Sequence, residues 1–163
     1  MKPASLFAVL APVMALVLTG CQQQTKTAAE KNPDAKPGLS ASDGMLVLPA
    51  VKGNPGAAYF TLDNGGSQAV TLAGVSIDAA ESAEMHETKD GRMGSVDQVE
   101  LAPGAVVKFA PGGMHVMAFN LKPEIAAGNS VEMTLTFSDG DKLSTPLKVE
   151  AAGAAMMDHG AGH

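Results

Sequence analysis

Turn-forming residues recur through the middle of this chain about every 8–15 residues. That punctuation excludes any fold built on long helices. The markers are Gly53-Asn54-Pro55-Gly56, Asn64-Gly65-Gly66, Asp90-Gly91, Pro103-Gly104, Pro111-Gly112-Gly113, Gly128-Asn129 and Asp139-Gly140. Between them lie short apolar or alternating runs at residues 57–62, 69–77, 106–109, 115–121 and 131–137. In the last run Val131, Met133, Leu135 and Phe137 alternate with Glu132, Thr134, Thr136 and Ser138. A period of two marks a strand with one buried face. Residues 123–127 have room for a single helical turn. Many short strands with regular turns predict an all-β antiparallel sandwich or barrel. No internal repeat is present.

Composition narrows the function. Hydrophobic residues make up 45% and charged residues 17% of the 163, enough for one core and too little charge for a disordered chain. The formal net charge of −6 and an aromatic content of 4% argue against a nucleic-acid partner. An enzyme is the weakest expectation. There is no phosphate loop and no Ser/His/Asp pattern, and neither His86 nor His115 has a candidate nucleophile near it in sequence. The acidic pairs Glu81 with Glu84 and Asp139 with Asp141 read as solvated loop residues.

The chain divides into four parts. Residues 1–20 read as an export signal: Lys2 supplies a positive start, and residues 6–18 form an apolar run too short to span a bilayer comfortably. The run ends in Leu18-Thr19-Gly20-Cys21, which resembles the bacterial lipobox, whose cysteine becomes the lipidated first residue of the mature protein. Cys21 is therefore the expected anchor to a bacterial membrane, and an extracytoplasmic, periplasmic location follows. Residues 21–43 are polar, with Pro33 and Pro37, and read as a flexible tether. Residues 44–150 form the folded β domain, and residues 151–163 a flexible tail. With its one cysteine spent on lipid, the chain has no disulfide and no thiolate for a metal.

Ten methionines remain to be explained. Met45 and Met133 read as core. The two histidines within the domain both sit beside methionine: Met85-His86 followed by Met93, and Met114-His115-Val116-Met117. In an extended strand His115 and Met117 point to one face, and Met114 and Val116 to the other. If Asp90-Gly91 makes a two-residue hairpin turn, Thr88 opposes Met93, and His86 and Met93 become diagonal neighbours on one face. Met85 then points away. A three-residue turn with a bulge would pair these residues differently. Two imidazoles and two thioethers make a soft, uncharged donor set, poor for Mg²⁺ or Ca²⁺ and good for Cu(I). A blue-copper electron carrier is excluded, because it needs a thiolate. The competing reading makes the methionines ordinary core fillers and the histidines surface residues.

Met93, a gap of 21 residues, then His115-Val116-Met117 resembles part of the signature of the periplasmic PCuAC-type copper chaperones. Ala57-Ala58-Tyr59 with Asn64, Leu101-Ala102-Pro103-Gly104, Pro111-Gly112-Gly113-Met114-His115, Leu121-Lys122, Gly128 and Leu135-Thr136-Phe137 agree with it too, so the resemblance spans roughly residues 45–149. One departure stands out: only six residues separate His86 from Met93, where the family commonly has ten. A hairpin shortened by two residues per strand accounts for that and keeps the faces. The resemblance implies a cupredoxin-like Greek-key fold, a Cu(I) site at His86, Met93, His115 and Met117, and delivery toward the copper A centre of cytochrome oxidase, alongside Sco-type proteins. The tail residues Met156, Met157, His159 and His163 form an auxiliary candidate, suited to capturing Cu(II). Two other expectations stay open: a periplasmic copper buffer, and an immunoglobulin-like surface binding module without metal.

Overall fold

In the computed structural model, residues 37–153 are described. They form ten strands: β1 (Leu39–Val47), β2 (Gly56–Asn64), β3 (Val70–Ile77), β4 (Ser82–Lys89), β5 (Arg92–Ser95), β6 (Val99–Leu101), β7 (Val106–Phe109), β8 (Met114–Phe119), β9 (Ser130–Phe137) and β10 (Lys142–Glu150). No helix occurs among the described residues. At 122–125 the chain makes one turn, closed by the Ile125 amide donating to the Lys122 carbonyl at 3.2 Å.

The strands join in one sheet of order β5-β4-β8-β7-β2-β1-β10-β9-β3-β6. The sheet curls so that β3, near one end, packs against β4, near the other. Its concave face is the core. In β9 burial alternates as the period of two predicts: Met133, Leu135 and Phe137 are buried and Thr134 and Thr136 only partly so. Phe60 of β2 opposes Phe109 of β7, and the rings stack with centroids 4.2 Å apart and planes 12° from parallel.

Three features differ from the sequence expectation. The first strand opens at Leu39, itself buried, so residues 39–43, expected in the tether, belong to the β domain. A bulge at Asp43-Gly44 splits β1, with Asp43 at φ 56°. Glycine is required at position 44 because a Cβ there would run into the carbonyl oxygen of Pro146 on β10. Past the bulge Met45 opposes Tyr59 and is only half-buried, while Leu46 is fully buried; Leu46, not Met45, is the core residue. Finally, β1 pairs β10 in parallel, and β7 meets β8 in parallel at Phe109 and Met114. The sheet is therefore not purely antiparallel.

The loop end near Asn64 is held by one buried side chain. The Asn64 amide donates to the carbonyls of Gln68, Leu101 and Ala102 at 2.8, 3.1 and 3.1 Å, and its oxygen accepts from the Gly66 amide at 3.2 Å. Such saturation is what a buried amide needs.

Candidate metal centre

The β4–β5 hairpin carries half of the candidate donors. Asp90 and Gly91 have φ of 52° and 73°, both positive as a type I′ turn demands. The register follows: Lys89 opposes Arg92, Thr88 opposes Met93 and His86 opposes Ser95. This is the two-residue turn pairing, not the bulged alternative. His86 and Met93 are thus diagonal neighbours on one face despite the short spacing.

The other half comes from β8, which lies beside β4. Across that pair His86 opposes His115 and Glu84 opposes Met117. Directly opposed residues share a face, so Glu84, His86, His115, Met117 and Met93 all project from the convex side. Met85 and Val116 project into the core, at 5% and 0% exposure. Met114 is partly buried and packs against that core.

On the convex face Met93 lies against His115, its Sδ 3.3 Å from Nε2. His115 is only 7% exposed, whereas Met93 is 58% exposed. The Nδ1 of His115 is 2.9 Å from the Gly113 carbonyl oxygen. A carbonyl can only accept, so in the neutral ring Nδ1 carries the proton and Nε2 keeps its lone pair toward the sulfur. Two donors bound at about 2.0 Å (nitrogen) and 2.3 Å (sulfur), lengths taken from zinc sites, would subtend about 100° at an ion if 3.3 Å apart. That is close to tetrahedral. The rings of His86 and His115 have centroids 6.0 Å apart, tilted 34°. An imidazole bound at about 2.0 Å puts its ring centre about 3 Å from the ion, so this separation matches two rings on one metal at a wide angle.

His86 has Nε2 3.3 Å from a carboxylate oxygen of Glu84, while its Nδ1 is buried with no partner. A buried nitrogen without a partner is unfavourable unless something fills the gap, and a metal ion bound at its lone pair would do so. Glu84 is solvent-exposed as expected, but it is a strand residue beside the candidate donors and not a loop residue. Glu81 accepts a bond from the Asn120 amide at 2.7 Å. The missed signal for Glu84 was its spacing of two from His86, which puts both on one face. Tyr59 lies across from Met45, and burial pushes its phenol above the ordinary value, so it stays neutral and supplies no phenolate.

Among the described residues no three His, Cys, Asp or Glu side chains are grouped to hold an ion. Thioether sulfur, as Met93 and Met117 would offer, is a donor that favours soft monovalent ions over hard ones. Cys21 and the tail residues Met156, Met157, His159 and His163 lie outside the described residues.

The family model described as "Putative lipoprotein LpqE-like" matches residues 39–149. A protein of Leifsonia xyli subsp. xyli (strain CTCB07), named "Putative lipoprotein Lxx21020", is 30% identical over 140 residues, covering 82% of this chain and 83% of that protein. Among solved structures, the apo PCuAC domain of PmoF2 superposes with a TM-score of 0.64 at 25% identity, covering 74% of this chain and 96% of that one. The copper-bound form of that domain gives 0.61 at 25% identity, covering 72% and 96%. The Cu(I) form of DR1885 from Deinococcus radiodurans gives 0.59 at 26% identity, covering 76% and 85%. The fold is the cupredoxin-like all-β fold of these domains.

Proposed function

The chain belongs to the LpqE-like family, and from that premise we propose that it is an extracytoplasmic copper chaperone, held to a bacterial membrane through lipidated Cys21, that carries one Cu(I) on His86, Met93, His115 and Met117. The observation that carries this reading is the convergence on one face of β4, β5 and β8. A thioether sulfur stands 3.3 Å from an imidazole nitrogen that keeps its lone pair, and a second imidazole presents a buried nitrogen with no partner. The likeness to a copper-bound PCuAC domain and to a Cu(I) form of DR1885 supports it.

The donor set suits a carrier, not an enzyme. Neutral thioethers hold Cu(I) without a thiolate's charge. Met93, more than half exposed on the edge strand β5, is the donor an incoming ligand would displace first. His115, nearly buried, keeps the ion in place meanwhile. The acceptor we propose is the copper A centre of cytochrome oxidase, reached directly or with a Sco-type thiol protein. Residues 1–20 act as the export signal and 21–38 as the tether, while Met156, Met157, His159 and His163 form an auxiliary site able to take Cu(II).

Anaerobic Cu(I) titration with X-ray absorption tests the site. The expected result, with the four tail donors changed to alanine, is one ion with two nitrogen and two sulfur ligands. Loss of binding is expected when His115 and Met117 are both alanine, and unchanged affinity in that double variant refutes the reading. Deleting the gene separates delivery from buffering: failed oxidase assembly supports delivery, and copper sensitivity alone supports a buffer.

A further inference from the structure

We infer that Glu84 is a positioning residue for His86, and that the two imidazoles bind the ion through different nitrogens, His115 through Nε2 and His86 through Nδ1. The inference rests on the copper-binding reading above. It follows from what holds each ring. His115 is held at Nδ1 by the Gly113 carbonyl, 2.9 Å away, which leaves Nε2 facing Met93. His86 is held at the other end: its Nε2 is 3.3 Å from the Glu84 carboxylate. A carboxylate accepts, so the proton sits on Nε2, and Nδ1 is left with a lone pair. That Nδ1 is buried and has no partner.

Sheet geometry makes the arrangement specific. Glu84 and His86 are two apart on β4 and share the convex face, where they oppose Met117 and His115 respectively. The Glu84 side chain is 55% exposed and the His86 side chain 14%. The carboxylate therefore lies at the rim, within reach of water, and the ring lies beneath it. A metal-binding histidine commonly gives its second N–H to a carboxylate or a carbonyl, which sets the tautomer and the ring orientation. Here one ring uses each device. Opposed backbone positions bring the two rings together, and opposite tautomers let different edges turn toward one ion.

Long-range proton–nitrogen correlation spectra of the ¹⁵N-labelled full chain test this, with and without Cu(I). In the copper-free protein His86 should show the Nε2–H tautomer and His115 the Nδ1–H tautomer. Cu(I) should shift Nδ1 of His86 and Nε2 of His115. In Glu84→Ala the His86 proton should spread over both nitrogens and Cu(I) affinity should fall about 10–100-fold. Glu84→Gln, whose side-chain oxygen still accepts, should keep Nδ1 ligation and an affinity within a few-fold of wild type. Copper shifting Nε2 of His86, or Glu84→Ala with unchanged tautomer and affinity, overturns the inference and leaves the copper reading standing. If copper moves no nitrogen of either ring, both fall.

Discussion

Replacing Met93 with leucine separates a ligand from a packing residue, because the two roles predict opposite behaviour with and without copper. Met93 is 58% exposed on the edge strand β5. A volume-conserving change at such a position alters stability by less than about 0.5 kcal/mol, so the copper-free protein should unfold within about 2 °C of wild type. Copper should then divide the two proteins. At free Cu(I) equal to about 100 times the wild-type Kd, binding stabilises the native state by about 2.7 kcal/mol. For a β domain of this size that raises Tm by roughly 11 °C, at about 4 °C per kcal/mol. Losing a thioether ligand should weaken binding at least as much as losing a supporting partner does, about 10–100-fold. The same copper then contributes only about 0.4–1.4 kcal/mol, a rise of roughly 2–6 °C. The assay is anaerobic thermal unfolding followed by circular dichroism, with all four tail donors changed to alanine in both proteins. A full copper-induced rise in Met93→Leu would refute ligation by this sulfur. A drop of several degrees without copper would make its 3.3 Å contact with His115 a packing contact.

Three further outcomes follow from the fold. Asn64→Ala removes four hydrogen bonds from a partly buried turn, where the Ala102 carbonyl keeps its bond from the Ala105 amide, and should lower unfolding free energy by about 2–4 kcal/mol in urea titration. One residue inserted after Gly91 slips β5 against β4 and turns Met93 off the convex face; Cu(I) affinity should match Met93→Leu, while one residue added on each side of Asp90-Gly91 keeps Thr88 opposite Met93 and should preserve it. Phe109→Ala removes a ring that is 2% exposed and stacked on Phe60, so chemical denaturation should report a loss of about 3–5 kcal/mol, against less than about 0.5 kcal/mol for Val106→Ala at 52% exposure.

What was legible in the residues was local. Alternation along β9 identified its buried face because a strand's period is two, whatever lies across from it. Asp90-Gly91 predicted the hairpin register because a two-residue turn with both φ positive joins only one pair of partners. The start of β1 was not legible. The bulge at Asp43-Gly44 breaks the alternation between Leu39 and Leu46, so a strand reads as polar linker and the inward residue reads as Met45. The parallel β1–β10 pairing joins residues about a hundred positions apart, and no turn encodes it.

The candidate site shows the same division and explains why the shortened His86–Met93 spacing does no harm. Face parity within the hairpin depends on the turn and not on the length of its arms. With Thr88 opposite Met93, a hairpin shorter by two residues on each arm still sets His86 and Met93 on one side. Arm length decides only how far Met93 stands from the turn. The second requirement, that the hairpin face His115, is set by the β4–β8 register, in which His86 meets His115 and Glu84 meets Met117. That register joins segments separated in sequence by three intervening strands, β5, β6 and β7. The Glu84 carboxylate reaches His86, 3.3 Å away, along β4 itself, and the β4–β8 register sets Glu84 opposite Met117 of β8. The donors could be named from residue type and local spacing, and Glu84 lies at that same local spacing from His86, but the opposition of His86 and His115 becomes visible only when strands distant in sequence are placed side by side.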